Sequence, residues 1–481
     1  MGRRVWLVLV LALAAAAAGV VVAWKDDQAA PAPSTPAVEA KKPAAKPSAR
    51  LGPLRVLKSN PRYFTDGTGR VVYLTGSHVW WNLLGGRTWP AACVPVGRRP
   101  FDYERYLDRL VRYNHNFFRL WTIELTRWQE CDNKDVFVAP HPWLRTGPGP
   151  ALDGRPRFDL RRFNPAYFSR LRKRVAAAGR RGIYVSVMLF EGWSPQFARP
   201  PWRWTGHPFH ARNNVNGIEG DVNSDGMGTE VHTIRDRRIL AIQERYVRRV
   251  VDAVNDLDNV LYEIVNESGT FSTAWQYHMI KIVQRYEAQK GKRHPVGMTY
   301  QNPHGTNETL YASPAEWVSP AGGHEFLNNP PVADGRRVSL SDTDHHCGIC
   351  GDPHFPWKAF TRGHNPIFMD PMDGDGNREA IRWAMGHTLH YAKRMNLAAS
   401  QPRPDLASTG FCLAVPGFEY LVYQPGSGPF SLDLTASGRA FRVEWFEPSS
   451  GRRWFDEVGG GAHQTLTPPV GTPVVAYVRA I

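Results

Sequence analysis

The feature of this sequence that most restricts its fold is the alternation of short β-type runs with amphipathic helical segments between residues 60 and 400. Such an order of elements indicates a parallel sheet covered by helices. The predicted strands lie at 71–75, 116–121, 183–189, 260–265, 295–300, 317–319, 338–341 and 367–369. Eight strands are the number that closes a (β/α)₈ (TIM) barrel, so the sequence predicts an α/β fold of this type.

The periodicity changes after a helix that is predicted over 377–395. Residues 405–481 contain short alternating runs at 420–423, 431–434, 441–446 and 474–478, and Gly, Pro and Ser separate these runs. This pattern is typical of a small antiparallel β-sandwich. We therefore predict two folded domains, a barrel over 53–400 and a β-sandwich over 401–481.

The N-terminal residues have the composition of an export segment. Arg3 and Arg4 precede an uncharged run over 5–24, which fits either a signal peptide cleaved near Ala18 or an uncleaved membrane anchor. In both cases the rest of the chain is predicted to be exported, as an extracellular, periplasmic or membrane-anchored protein. Residues 25–52 are rich in Ala, Pro and Lys and are predicted to form a disordered linker. Membrane contact is expected only through this N-terminal segment.

The formal net charge of +15 raises the question of nucleic-acid binding. The arginines are spread along predicted helices, for example at Arg105, Arg109 and Arg112, where a solvated helix face accounts for them. Together with the predicted export, this distribution argues against a nucleic-acid partner. Nothing in the sequence specifies an oligomeric state.

The five cysteines allow two disulfides and one free thiol in an oxidising compartment. Cys93 with Cys131 would join two long loops, Cys347 with Cys350 would close a tight one, and Cys412 is predicted to be a buried apolar residue. Because His345 and His346 precede Cys347, a zinc site is an alternative. We favour the disulfide, since two adjacent His and two Cys do not converge easily into a tetrahedron.

The side chains that follow the predicted strands are those expected at a barrel active site, which forms at the carboxyl ends of the strands. Carboxylates, His, Arg and Trp gathered at one rim are typical of glycoside cleavage, in which one carboxyl protonates the leaving oxygen and another attacks the sugar or activates water. The candidates are His78, Trp80, Trp81, Arg119, Glu191, Trp193, Asn266, Glu267, Asp342, Asp344, His345 and Asp370.

Three segments carry a resemblance to a known family. The hydrophobic strand that ends in Asn266-Glu267 resembles strand four of clan A (β/α)₈ glycoside hydrolases. The run NPRYFTDG at 60–67, the run GSHVWWN at 76–82 and the order of barrel and sandwich look like bacterial cellulase-type glycosylhydrolases, whose C-terminal β-domain carries the family label "collagen-binding". The resemblance implies a retaining enzyme with Glu267 as acid/base, Asn266 as the contact to the sugar 2-hydroxyl and Arg119 as the residue that orients the nucleophile.

The chain departs from that family at strand seven. The clan's nucleophile is a Glu that ends this strand, whereas here the strand leads into Asp342 and Asp344. By strand position we expect Asp342 to be the nucleophile, with Asp344 as the alternative. The predicted function is an exported hydrolase of an oligo- or polysaccharide, and no cofactor is required for such chemistry. The alternatives are an inverting mechanism or a surface-anchored glycan-binding protein without turnover.

A short acidic segment predicts a metal site. Asp221, Asn223 and Asp225 alternate before Gly226, like the start of an EF-hand loop, although His232 stands where the bidentate acid is expected. We expect a structural Ca²⁺ here, with an ordinary turn rich in Asp and Asn as the alternative.

Overall fold

In the computed structural model, which describes residues 52–80, 82–84, 101–129, 135–197, 202–372 and 374–481, eight parallel strands form one sheet. The strands are β1 Gly76–His78, β2 Phe117–Leu120, β3 Tyr184–Glu191, β4 Val260–Asn266, β5 Val296–Thr299, β6 Trp317–Ser319, β7 Val338–Asp342 and β8 Asn365–Met369. Their order in the sheet is β1-β8-β7-β6-β5-β4-β3-β2, and the amide of Asn116 beside β2 donates to the carbonyl of Thr75 beside β1 at 3.0 Å. The predicted (β/α)₈ barrel is confirmed.

A helix follows each strand of the barrel in the sequence. They are α1 Tyr103–Arg112, α2 Pro165–Arg180, α3 Arg237–Val254, α4 Thr273–Glu287, α5 Asn307–Ala312, α6 Gly323–Asn328, α7 Phe355–Thr361 and α8 Gly376–Ala392. Helix α2 begins as its sequence indicates, because Asn164 accepts a hydrogen bond from the amide of Ala166 and Pro165 occupies the first turn.

Shorter elements extend the loops at the carboxyl ends of the strands. Two hairpins, Arg127–Gln129 with Asp135–Phe137 and Trp143–Pro150 with Pro156–Phe163, lie between β2 and α2. Short helical segments in these loops cover Trp193–Phe197, Trp202–Thr205, Ala211–Asn213, Thr229–His232, Thr270–Ser272 and Thr343–Cys347, and one more, Pro404–Leu406, lies among the C-terminal strands. Within the described residues no helix is both long and apolar enough to cross a bilayer.

The prediction for the first strand was wrong in its position. Val71–Val72 pairs with Phe64–Thr65, which also pairs with Arg55–Val56, in a small antiparallel sheet, and β1 begins only at Gly76. Leu54, Phe64, Val72 and Leu74 pack with apolar residues of six barrel strands. The apolar run at 71–75 therefore belongs largely to this added layer, and hydropathy alone does not distinguish the two.

The C-terminal residues form antiparallel sheets, as predicted. A six-stranded sheet has the order Gln401–Pro402, Cys412–Val415, Glu419–Gln424, Val474–Ala480, Ala440–Phe446 and Arg453–Gly459, and Phe430–Asp433 pairs with His463–Leu466. Cys412 is buried with a free thiol, as predicted. One face of the larger sheet packs on α7 and α8. Aromatic residues form much of this contact, among them Trp357, Tyr391, Tyr423, Phe446 and Tyr477. The strand Arg453–Gly459 was missed because most of its residues are exposed and show no apolar alternation.

Gly297 allows β5 and β6 to pair closely, and its replacement gives a test of the barrel packing. A Cβ at this position would lie 1.9 Å from Cε2 of the buried Trp317 indole. We expect Gly297→Ala to lower the free energy of unfolding by about 1–3 kcal/mol or more, because the core cannot accommodate the added carbon without shifts. Urea denaturation measures this change. Gly291→Ala, where nothing lies within 4 Å of the added Cβ, is the control, expected to stay within about 0.5 kcal/mol; equal shifts would contradict the packing argument.

Candidate active site

The guanidinium of Arg119 joins the carboxyl ends of three barrel strands. From β2 it forms a bidentate pair with Glu263 on β4, with Nε 2.9 Å from Oε2. Its Nη1 donates to Asp342 at 3.0 Å and to Asp344 at 2.8 Å, and its Nη2 donates to Oδ1 of Asn266. Arg119 is only 2% exposed, so these contacts take place largely out of water. The side chain therefore organises the predicted site around a single buried cation.

Asp342 is buried, and both of its carboxyl oxygens accept hydrogen bonds. His78 Nδ1 accepts the indole N–H of Trp121 at 2.8 Å, which places the ring proton on Nε2, 3.0 Å from Oδ1 of Asp342. The amide of Asp344 also donates to that oxygen. Burial by itself raises the pKa of Asp342, but His78 and Arg119 outweigh it and hold the pKa well below its usual range. Asp342 is thus a buried anion whose oxygens are already engaged.

Asp344, two residues later, faces a cavity of about 930 Å³ together with Glu267. Trp80, Trp193, Tyr300, His345 and His346 also line this cavity. Asp342, Asn266, His78 and Arg119 do not belong to its lining and form the layer of side chains behind it. The structure therefore brings Asp344, rather than the preferred Asp342, to the surface that a ligand would contact.

Glu267 follows β4 in an unusual backbone conformation. Its φ of 51° lies in the left-handed region, which costs a non-glycine residue of order 1–3 kcal/mol and is found mostly where function requires it. Burial raises the pKa of Glu267 well above its usual range, and the charge of Asp344 raises it further. The pKa of Asp344 is also raised, by burial and by Asp342, but Arg119 opposes this shift. Burial thus favours the protonated form of both carboxyls, and the Arg119 guanidinium that contacts Asp344 opposes this effect there.

The amide of Asn266 is oriented by two donors. Its Oδ1 accepts from Arg119 and lies 3.1 Å from Nε2 of His345, whose Nδ1 lies 2.7 Å from Oγ of Ser319. The amide nitrogen consequently points the other way, 3.4 Å from a carboxyl oxygen of Glu267. Burial lowers the pKa of His345 well below its usual range, so this ring is a neutral part of the network.

Comparisons with known proteins agree with the barrel. Residues 124–303 match a family model described as a domain of unknown function, DUF6298. No curated protein matches the sequence. A solved structure described as a glycoside hydrolase is similar with a TM-score of 0.58 at 11% identity, over 89% of this chain and 97% of that one. A glycoside hydrolase family 5 structure from Bacteroides vulgatus also has a TM-score of 0.58, at 12% identity, over 89% of this chain and 94% of that one. At such identities the likeness establishes the fold.

Two predicted ligand contacts have other partners in the structure. Both oxygens of Asp370 accept from the guanidinium of Arg382 on α8, at 2.6 and 2.7 Å, and the two side chains are buried. The carboxyl of Glu191 accepts from the amide of Ser194 at 3.0 Å, and burial raises its pKa to about 8. Neither residue lines the cavity. Asp370 therefore connects β8 with α8, and Glu191 supports the cavity from behind.

The predicted disulfide between Cys347 and Cys350 is present, and Cys347 lines the cavity together with Asp344. The disulfide occupies both sulfur atoms that the zinc alternative requires. The two histidines also face different partners, since Nε2 of His346 contacts Oγ of Ser341 at 2.9 Å. Trp81, Cys93 and Cys131, with the predictions made for them and for residues 1–51, lie outside the described residues.

The predicted calcium loop is held by its own side chains. Asp221 accepts from the amides of Asp225 and Gly226 at 3.1 and 2.9 Å, and Asn223 accepts from the amide of Asp225 at 3.0 Å. In the part of the chain that the structure describes, no group of three or more His, Cys, Asp and Glu side chains is arranged to hold a metal ion. The contacts are those of a turn, and Ca²⁺ binding by this loop stays a prediction.

Several site residues were missed from the sequence. Glu263, the bidentate partner of Arg119, sits inside the apolar run of β4, and a lone acid there was a signal that its side chain points into the barrel. Tyr300 and Asn302 follow β5, and Arg378 comes from the first turn of α8. Loop residues of these types are common everywhere, so only the fold brings them to one cavity.

The structural role of Asp370, its buried ion pair with Arg382, can be tested by substitution. Asp370→Asn should lower the free energy of unfolding by about 3–5 kcal/mol, because it removes the carboxylate charge that pairs with the buried Arg382 guanidinium. The midpoint of thermal or urea unfolding measures this. The exposed pair Arg403–Asp405 supplies the control, since Asp405→Asn should cost at most about 1 kcal/mol. A folded Asp370→Asn protein with unchanged stability and weakened sugar binding would instead support the original prediction of a ligand contact.

Proposed function

We propose that this protein is a glycoside hydrolase that cleaves O-glycosidic bonds of an oligo- or polysaccharide by means of Glu267 and Asp344. The observation that carries the proposal is that these two carboxyl groups face one cavity, where the pKa of Glu267 is raised well above its usual range while Asp344 contacts the Arg119 guanidinium, which opposes the rise of its pKa. Glycosidases need two such carboxyls, because one must donate a proton to the leaving group while the other acts as an anion.

In the proposed mechanism Glu267 is the general acid. Its raised pKa keeps the proton available near neutral pH, and proton transfer to the glycosidic oxygen assists departure of the leaving group. Asp344 attacks the anomeric carbon to form a glycosyl ester, in agreement with the retaining chemistry that the clan A resemblance implies. Glu267, now an anion, then removes a proton from the water that hydrolyses the ester.

Asp344 is proposed as the nucleophile in place of Asp342 because of their surroundings. Asp342 accepts from His78, from Arg119 and from the amide of Asp344, and it does not line the cavity. Asp344 lines the cavity and retains the Arg119 contact that the family resemblance assigns to orientation of the nucleophile. Asp342 would then fix the position of Arg119 and His78 instead of reacting.

The rest of the cavity suits a carbohydrate. Trp80 and Trp193 contact each other edge to face at 5.6 Å and line it, which offers apolar surface for a sugar ring. His346 also lines it, and its buried Nδ1 has no hydrogen-bond partner among the described residues. A sugar hydroxyl would satisfy that nitrogen. We further propose that the chain acts outside the cytoplasm on a β-linked glycan, which rests on the N-terminal segment and the cellulase-type resemblance.

A glycan-binding protein without turnover is the second candidate. It is favoured by the aspartate at strand seven, whose side chain is one methylene shorter than the clan's glutamate, and by the engagement of Asp344 with Arg119. The same cavity would then hold a sugar without placing a nucleophile at the anomeric carbon.

Glu267→Gln tests the general acid. We expect a loss in kcat of about 10²- to 10⁴-fold on glycosides with poor leaving groups, because the amide cannot donate the proton. Dinitrophenyl glycosides, which need little protonation to depart, should lose much less. Glu316→Gln is a matched control, since burial also raises the pKa of that carboxyl but it accepts from the Val296 amide outside the cavity lining. Equal and mild losses on both kinds of substrate would refute the assignment.

Azide rescue separates the two strand-seven acids. Asp344→Gly should be inactive on ordinary glycosides but should form a glycosyl azide of inverted configuration, because the small anion can enter the space left by the carboxylate. Asp342→Gly should not be rescued, and product analysis by NMR distinguishes these results. Rescue of Asp342→Gly alone would restore the original prediction. Rescue of neither variant, with sugar binding intact in the unaltered protein, would favour the glycan-binding role.

A further inference from the structure

A second buried cluster of titratable side chains lies behind the end of β4. The carboxyl of Glu124, just beyond β2, is 2.9 Å from Nε2 of His207 and 3.3 Å from Nε2 of His232. Nδ1 of His232 is 3.1 Å from Oγ of Ser268, the residue directly after Glu267. None of the four lines the cavity. We call these four residues the Glu124 chain.

The outer end of the Glu124 chain is fixed by other contacts. Nδ1 of His207 accepts the amide N–H of Phe209 at 3.0 Å, so its Nε2 carries the ring proton and donates to Glu124. Burial raises the pKa of Glu124, but His232 and His207 outweigh it and lower the pKa to about 2. Glu124 is therefore an anion at neutral pH, and the ring of His232, stacked on Trp275 at 4.5 Å, is held between it and Ser268.

Next to Ser268, at the inner end of the Glu124 chain, contacts from two further residues hold the backbone around Glu267. The amide of Gly192 donates to the carbonyl of Asn266, and Nε2 of Gln196 donates to the carbonyl of Glu267, both at 2.8 Å. Ser268 packs closely on Gly192. A Cβ added to Gly192 would lie 2.5 Å from the Cβ of Ser268. Glu267 itself has the left-handed φ of 51°. Such a backbone persists only where the surroundings determine it on both sides.

We propose that His232 is a positioning residue that aims the Glu267 carboxyl at the cavity by anchoring Ser268 to Glu124. The proposal rests on the proposed function of Glu267 as general acid. His232 does not line the cavity, so its effect must pass through the backbone of Ser268 and Glu267. A displacement of about 1 Å at a reacting group can cost on the order of 100-fold in rate.

The test compares Ser268→Ala and His232→Phe with Glu267→Gln on two glycosides, one with a good and one with a poor leaving group. Ser268→Ala removes the link to His232 and leaves the pair of His232 with Glu124 in place. We expect kcat to fall about 10- to 100-fold on the poor leaving group and much less on the good one, with KM nearly unchanged. The double variant should lose no more than the larger single loss, because both changes break one connection.

Ser313→Ala is the matched control. This serine is equally buried and donates to the carbonyl of Leu310, outside the cavity lining. A loss that is the same for both leaving groups, or that only follows the loss of thermal stability as in Ser313→Ala, would overturn the proposal. If His232→Phe fails to fold, Ser268→Ala decides alone.

A second readout separates this proposal from the proposed function. If Glu267→Gln itself shows no dependence on the leaving group, the assignment of the general acid fails. Amide hydrogen exchange of the peptide that contains 266–269 then decides the positioning role. Faster exchange in Ser268→Ala than in Ser313→Ala supports an anchored backbone, and unchanged exchange overturns it.

Discussion

The contact set of Arg119 is the interaction on which the candidate site depends. One guanidinium faces the carboxyl groups of Glu263, Asp342 and Asp344, all almost completely buried. Buried charges of one sign cannot remain ionised beside each other without a partner that compensates their repulsion and lost hydration. Because the three acids come from β4, from β7 and from the short helix after β7, the same cation also fixes the relative positions of these strand ends.

This arrangement explains why two aspartates that are close in sequence differ in character. His78 and the amide of Asp344 complete the coordination of Asp342, which makes it a fixed anion in the layer behind the cavity. Asp344 shares Arg119 but also borders the open space. Among the described residues the Glu267 carboxyl receives a single contact, at 3.4 Å from Asn266, and its pKa is raised by burial and by its acidic neighbour. The pKa shifts of the three carboxyls thus follow the number of donors that each receives.

The sequence predicts the barrel well because its strands are apolar runs and its helices carry ordinary capping signals, as at Asn164. It places the first strand too early, since Val71 and Val72 are equally suited to a barrel strand and to the sheet that packs on the barrel. The site was predictable as a set of residues at strand ends, and Glu267, Asp344, Trp80, Trp193 and His345 do share one cavity. The sequence does not show which carboxylate pairs with a buried arginine. Asp370 pairs with Arg382 on the following helix, and Asp342 pairs with Arg119, which is 223 residues away in the sequence.

The aromatic contact between the larger C-terminal sheet and helices α7 and α8 has a consequence for how the chain can be divided. Trp357 and Tyr391 from the helices share one apolar core with Tyr423, Phe446 and Tyr477 from the sheet. An extensive hydrophobic contact of this kind resists relative motion. The sheet cannot swing on a tether as an appended sugar-binding module would, and its exposed surface keeps a constant orientation to the mouth of the barrel. Truncation near residue 400 would expose the rings of Trp357 and Tyr391 to solvent and favour aggregation of the shortened protein.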